Sequence, residues 1–396
     1  MTTNTRELPD GVKSATVLAQ GNGRCSPQTG EYPPPISVGV TYARDSGYAL
    51  RDGKAYTRDQ GSAGLEHVER LLALVERGTD ALVLSSGLAA STAVFQALAP
   101  GSRVIVQEVQ YFGLTKWLRE FGADQGLRVV TVPNGNLDSM RAAVTAEPTA
   151  LVWIETPANP TWVVTDVAAV AEIADGAGAV LAVDNTVPTP IHTNPLALGA
   201  HLVMHSCTKY LNGHDDVMAG ALITDGSKPE LWRRLMLQRQ LAGQVLGGLD
   251  AYLLLRGMKT LSARMRVISP SALAIAEHFD DHPDIERVAY PGLAGDAGHK
   301  IAAAQMTGGY SGMLALLALL VRGGLRVSLD VARQTELFIP ATSLGGTASL
   351  IEHRYTFEGA GSRTPENLLR LSIGLEDPGD LIADIEGAIA RARSRG

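Results

Sequence analysis

An open, mostly parallel α/β sheet followed by a smaller α+β domain is the fold class this sequence predicts. Three observations predict it. Short apolar runs alternate with segments of helical period from residue 65 to about 224, the pattern of βαβ units. The pattern changes after about residue 255, where a long helical stretch gives way to strands interleaved with helices. At 396 residues the chain is also too long for one ordinary core.

The elements follow in order. Residues 65–76 carry apolar side chains at helical spacing, with Gly78 to end the helix. A short apolar run at 81–84 reads as a strand, and Ser85-Ser86-Gly87 then opens a helix to Leu98 that Pro100-Gly101 stops. Strands at 103–106, 127–132, 150–154, 179–183 and 201–205 alternate with helices at 115–121, 137–145 and 167–174. The run 221–224 adds a strand that turns the chain back. Residues 247–279 read as helix with an interruption at Pro270, where a backbone donor is missing. Strands at 282–289, 312–320 and 371–373 and a final amphipathic helix at 381–393 complete the second domain. The expected organisation is an arm over 1–60, a large domain over 61–255 and a small domain over 256–396.

The arm is rich in Gly, Pro and polar residues, and a loop that long is functional or reaches elsewhere. Its aromatics, and the pair Tyr56 and Arg58, are more than a solvated tail needs.

Composition removes several classes of function. Hydrophobic residues make up 45% and charged ones 19%, so the bulk of the chain is not disordered. A net charge of −7 provides no overall field for nucleic acid or an anionic membrane. No apolar run reaches the roughly 18 residues of a membrane span, and the polar start MTTNTRELPDGVKSAT does not read as a secretory signal. Two cysteines, Cys25 and Cys207, make no disulfide framework, so a cytoplasmic location is expected. His201 and His205 are four apart but bracket a strand and lack a partner glutamate, and no metal site is expected.

Ligands of an open α/β sheet sit at the carboxyl ends of the strands. After Leu84 comes Ser85-Ser86-Gly87-Leu88 at a helix start, where free N–H groups favour a phosphate. After Ile154 come Glu155 and a loop carrying Asn159. After Val183 come Asp184, Asn185 and Thr186, and after His205 come Ser206, Cys207, Thr208 and Lys209. A phosphate nest, a buried carboxylate and a lysine thus converge. No G-x-G-x-x-G follows the first strand and no Walker motif is present, which argues against a dinucleotide or a nucleoside triphosphate. Pyridoxal 5′-phosphate fits each part: a lysine for its aldehyde, an acid for its ring nitrogen, and donors for its phosphate. Asp184 and Lys209 lie far enough apart in sequence to end adjacent strands.

VDNTVPTP at 183–190 and HSCTKYLNGHDDVMAG at 205–220 resemble the cofactor signature of the Cys/Met-metabolism pyridoxal-phosphate enzymes, the cystathionine γ-synthase and γ-lyase family. YTR at 56–58, SSGLAA at 85–90, IETPANP at 154–160, SLGG at 343–346 and LLRLSIGLED at 368–377 resemble its other landmarks, in the same order. The resemblance implies a fold-type-I enzyme in which Lys209 forms the Schiff base and shuttles protons. It further implies that Asp184 pairs with the pyridine nitrogen and that Tyr111 stacks on the ring and serves as acid or base. By the same resemblance Ser86, Gly87, Leu88, Ser206 and Thr208 would hold the phosphate, Thr186 would belong to the same cofactor site, and Asn159 would contact the ring hydroxyl side. Arg370 clamps the substrate α-carboxylate beside Ser343. The resemblance also implies that Tyr56 and Arg58 complete a neighbouring subunit's phosphate site, in a dimer of dimers.

The departures are also informative. Gly61-Ser62-Ala63 stands where the family has Asn-Pro-Thr, and the tyrosine motif Tyr111-Phe112-Gly113-Leu114-Thr115 has no cysteine. Thr342 replaces a glutamate associated with the far end of the substrate, and the stretch 352–367 is differently charged. The expected activity is γ-elimination on a γ-substituted 2-amino acid, with a carbon–sulfur or carbon–oxygen bond broken. The alternatives are γ-replacement of the cystathionine γ-synthase or O-acylhomoserine sulfhydrylase kind and, from another class, a non-catalytic binding protein that keeps the fold.

Overall fold

The computed structural model describes residues 11–21, 30–32, 34–51, 53–318, 324–359 and 362–393. Cys25 and the end of the predicted strand 312–320 lie outside them. Two sheets organise these residues. The larger has seven strands: β1 (Asp80–Leu84), β2 (Arg103–Gln107), β3 (Arg128–Val132), β4 (Leu151–Glu155), β5 (Val180–Asp184), β6 (Leu202–Ser206) and β7 (Gly220–Thr224), in the order β1-β7-β6-β5-β4-β2-β3. Only β7 runs against the rest. The predicted parallel sheet is thus present, with the returning strand inserted between β6 and β1.

The strands are near-continuous apolar runs because both faces of a parallel sheet are covered. Alternate residues serve opposite faces. Val104, Val106, Trp153, Leu202 and Met204 pack with residues of helix Gly87–Gln96. Ile105, Val152, Ile154, Leu181 and Val183 pack with residues of helices Leu137–Ala146 and Val167–Gly176. Each fully buried side chain of this size contributes about 1.5–3 kcal/mol. Side-chain caps fix where helices begin. Ser62, Ser86, Asn136 and Asp166 each accept a backbone N–H of the first turn.

The smaller sheet contains β8 (Ile285–Ala289), β9 (Met313–Ala318), β10 (Ile339–Pro340), β11 (Leu350–His353) and β12 (Leu368–Ser372), in the order β10-β11-β12-β9-β8. Helices Leu261–Asp280 and Pro378–Arg393 contribute to its core. Among the described residues no helix is long and apolar enough to cross a membrane.

The structure corrects one prediction. The long helical stretch breaks at Lys259–Thr260, and the helix Leu261–Asp280 continues through Pro270 without interruption. Pro270 and Arg266, whose carbonyl loses its donor, are both exposed, so water can satisfy the freed group. The helix Pro229–Ala242 carries little sequence signal. Its surface is largely polar and only Trp232, Leu235 and Arg239 are buried, which leaves little apolar periodicity to read.

Candidate active site

The carboxyl ends of β1, β4, β5 and β6 open onto a cavity of about 560 Å³, which residues 342–344, 354, 357 and 370 also line. Every residue predicted for the site lines this cavity except Tyr56 and Arg58.

Beyond β1, Ser86 caps the helix Gly87–Gln96 by accepting from the Ala89 N–H at 3.0 Å. Gly87 and Leu88 of that helix start line the crevice, and the first N–H groups of a helix have no intrahelical partners. Gly87 is required there, because a Cβ would stand 2.6 Å from the Cβ of Ser206. Ser206 therefore comes directly against the helix start. The Thr208 hydroxyl lines the cavity while pairing with Ala219, accepting from its N–H at 3.0 Å and donating to its carbonyl at 3.2 Å.

At the end of β5, Asp184 is buried, and its Oδ1 accepts from the Thr186 N–H at 3.0 Å and the Thr186 hydroxyl at 2.5 Å. The Thr186 oxygen accepts in turn from the Ser206 N–H at 2.8 Å, tying β5 to β6. Burial pushes the Asp184 carboxyl up, against the pull of Thr186 and His205. At the end of β4, Glu155 accepts from the Tyr111 N–H at 2.6 Å and the Asn159 N–H at 2.7 Å. One buried carboxylate thereby positions two loops, and burial together with the nearby Asp184 charge raises its pKa. The Tyr111 ring folds over Gly113, where a Cβ would lie 2.6 Å from a ring carbon.

The Lys209 amine donates to the Ser343 hydroxyl at 2.7 Å. Burial, and then the Arg370 guanidinium, bring it down to about 8, although Asp215 and Glu352 oppose this. Behind it, buried Arg264 donates to the carbonyls of Tyr210 at 2.7 Å and Gly257 at 3.0 Å, anchoring the lysine loop to the helical region. Arg370 on β12 lies opposite Glu352 on β11 and pairs with it at 2.5 Å. It also donates to the Ser343 carbonyl at 2.7 Å and to Asn159 Oδ1 at 3.3 Å, while its buried Nε has no partner.

Tyr56 and Arg58 stay outside the cavity. The Arg58 guanidinium lies 5.3 Å from the centre of the Tyr56 ring and pairs with Asp59 at 3.3 Å. Cys207 is fully buried, and burial pushes its thiol up, the state of an inert filler.

Sequence reading missed Arg264, Glu352, Arg354 and Phe357, and it placed Glu155 only as a strand-end residue. The last was recoverable from its position after an apolar strand. The others depend on pairings between distant segments and carry no local signal.

Comparison with known proteins is consistent with this geometry. Residues 15–390 match the family model described as Cys/Met metabolism PLP-dependent enzyme. The chain is 39% identical over 381 residues to a cystathionine gamma-synthase of Mycobacterium tuberculosis, covering 95% of this chain and 96% of that one. It is 37% identical to a cystathionine gamma-lyase of Dictyostelium discoideum, covering 96% and 98%. Among solved structures, a cystathionine gamma synthase from Xanthomonas oryzae, in complex with aminoacrylate and cysteine, superposes with a TM-score of 0.91 at 32% identity, covering 98% of this chain and all of that one.

Proposed function

Because this chain belongs to the Cys/Met-metabolism family of pyridoxal-phosphate-dependent enzymes and has their fold-type-I architecture, we propose that it catalyses γ-elimination on a γ-substituted 2-amino acid. Water is consumed, and the products are the protonated leaving group, 2-oxobutanoate and ammonia. One observation carries the reading: Lys209 and Arg370 both hydrogen-bond Ser343, at 2.7 Å each. A carboxylate held at Arg370 would set the α-carbon of an amino acid beside the amine that must move its proton.

The residues present fit pyridoxal 5′-phosphate. The Ser86–Leu88 helix start, with Ser206 and Thr208, provides donors for the phosphate. Asp184, buried and oriented by Thr186, would hold the ring nitrogen protonated. Tyr111 would cover the ring face, Asn159 would meet the ring hydroxyl side, and Lys209 would bond the aldehyde. When bound, the cofactor supplies an electron sink for charge developing at the α-carbon. The chain's own groups do the rest. Arg370, steadied by Glu352 and with an unpartnered Nε, holds the α-carboxylate. Lys209 Nζ takes the proton from the α-carbon and then from the β-carbon, and returns one to the γ-carbon after the substituent leaves. The Tyr111 hydroxyl would protonate the departing group. Tyr56 and Arg58, outside their own cavity, would complete the phosphate site of a neighbouring subunit in a dimer of dimers.

A second reading, γ-replacement, is favoured by the similarity to the mycobacterial γ-synthase. Incubating the holoenzyme with an O-acylhomoserine, with and without a thiol, separates the two. Elimination predicts 2-oxobutanoate in both samples. A new thioether that displaces nearly all 2-oxobutanoate when thiol is added would establish replacement instead.

A further inference from the structure

Met204 and Ser206 line the cavity, and strand alternation turns His205 between them to the opposite face of the large sheet. There it meets Glu76, the last residue of helix Ala63–Glu76, with His205 Nε2 2.5 Å from Glu76 Oε1. Both side chains are fully buried within a single chain, so a neighbouring subunit cannot touch them. The same Glu76 oxygen accepts from Asn185 Nδ2 at 2.8 Å, and Oε2 accepts from Asn194 Nδ2 at 3.2 Å. One carboxylate thus holds the residue after Asp184 and the residue before Ser206.

Packing does not account for this pair. The second ring nitrogen of His205, Nδ1, has no hydrogen-bond partner among the described residues, so an apolar ring would pack there at lower cost. A buried carboxylate–imidazole pair also stabilises poorly beside well-packed apolar residues, because both groups must leave water. The demand for it lies on the other face of the sheet. Asp184 stands opposite Glu155 in the register of β5 against β4, so two buried acids share one end of the sheet and resist joint ionisation. Burial pushes both carboxyls up, and the Asp184 charge adds to the rise at Glu155. Against this, the Thr186 hydrogen bonds and then the charge of His205 pull Asp184 down.

We infer that Glu76 and His205 are positioning residues for the cofactor: the Glu76 carboxylate keeps an imidazolium at His205, and that cation keeps Asp184 ionised beside Glu155, ready to hold the proton of the ring nitrogen. Charge then alternates from Glu76 through His205 and Asp184 to the ring nitrogen. The inference rests on the placement of that nitrogen at Asp184, and it assigns Glu76 and His205 no contact with substrate or cofactor.

The test compares the binding of pyridoxal 5′-phosphate with that of its 1-deaza analogue, which keeps the aldehyde and the phosphate but has carbon in place of the ring nitrogen. Full-length, cofactor-free wild-type protein, Glu76→Gln and the double variant Glu76→Gln/His205→Gln are titrated with each compound, and circular dichroism checks their folding. Wild-type protein should prefer the natural cofactor. In both variants that preference should shrink at least about fivefold, a size expected for coupled groups of one network. The double variant removes both charges together and leaves no uncompensated charge buried, so it carries the comparison if Glu76→Gln does not fold. An unchanged preference in a folded variant, whether or not both compounds bind more weakly, would mark a purely structural role and overturn the inference alone. Equal affinity of wild-type protein for the two compounds would overturn the placement of the ring nitrogen at Asp184, and the inference with it.

Discussion

Lys209 has a hydroxyl for its hydrogen-bond partner where an exposed lysine would find water or a carboxylate. Its amine therefore sits near 8 and not at the ordinary 10.5, because burial and the Arg370 charge both disfavour the ammonium. Only the free amine attacks an aldehyde, and below its pKa the free fraction falls about tenfold per pH unit. Uptake of pyridoxal 5′-phosphate by cofactor-free protein, followed by the growth of visible absorbance, should accelerate up to about pH 8 and then level off. A rate still rising steeply at pH 10 would mean that the amine is not lowered.

The elements that build the site differ in how visible they are from sequence. Asp384, on helix Pro378–Arg393, accepts the backbone N–H groups of Glu336, Leu337 and Phe338 at 2.7–2.9 Å, just before β10. Asp384→Ala should cost roughly 2–4 kcal/mol in denaturant unfolding, since orphaned donors there lose about 1–3 kcal/mol each and water recovers part of that. A loss under 0.5 kcal/mol would show that water replaces the carboxylate fully. No periodicity announces such a contact, nor the two-residue β10, nor β11, whose sequence Leu350-Ile351-Glu352-His353 neither alternates nor forms an apolar run. The large sheet was legible because its strands are buried on both faces and read as apolar runs. That Lys209, Asp184 and the Ser86–Leu88 helix start line one cavity was legible because they follow those runs closely. The pairing of Glu352 with Arg370 was not, because it exists only through the register of β11 against β12.

At the scale of the whole molecule, the arm leaves Ile36, Val38, Val40 and Tyr48 exposed, and Tyr56 and Arg58 lie away from their own cavity. An arm that completes a neighbour's phosphate site accounts for both facts. Arg58→Ala should then weaken cofactor binding about 10- to 150-fold, the value of a hydrogen bond to a charged group. Mixing subunits is the sharper check. Arg58→Ala and Lys209→Ala damage different sites of a dimer, so random co-refolding should restore about a quarter of wild-type activity. Verified heterodimers with no activity, from two nearly dead parents, would return Arg58 to its own subunit.

The central claim is that Lys209 moves the protons of a γ-elimination. It is tested most directly by measuring 2-oxobutanoate formation by wild-type protein and by Lys209→Ala, both loaded with cofactor and both folded by circular dichroism. Wild-type protein should form 2-oxobutanoate with equimolar ammonia, and the variant should lose at least about a thousandfold of that rate. A folded variant that forms 2-oxobutanoate at a rate near that of the wild type would contradict it.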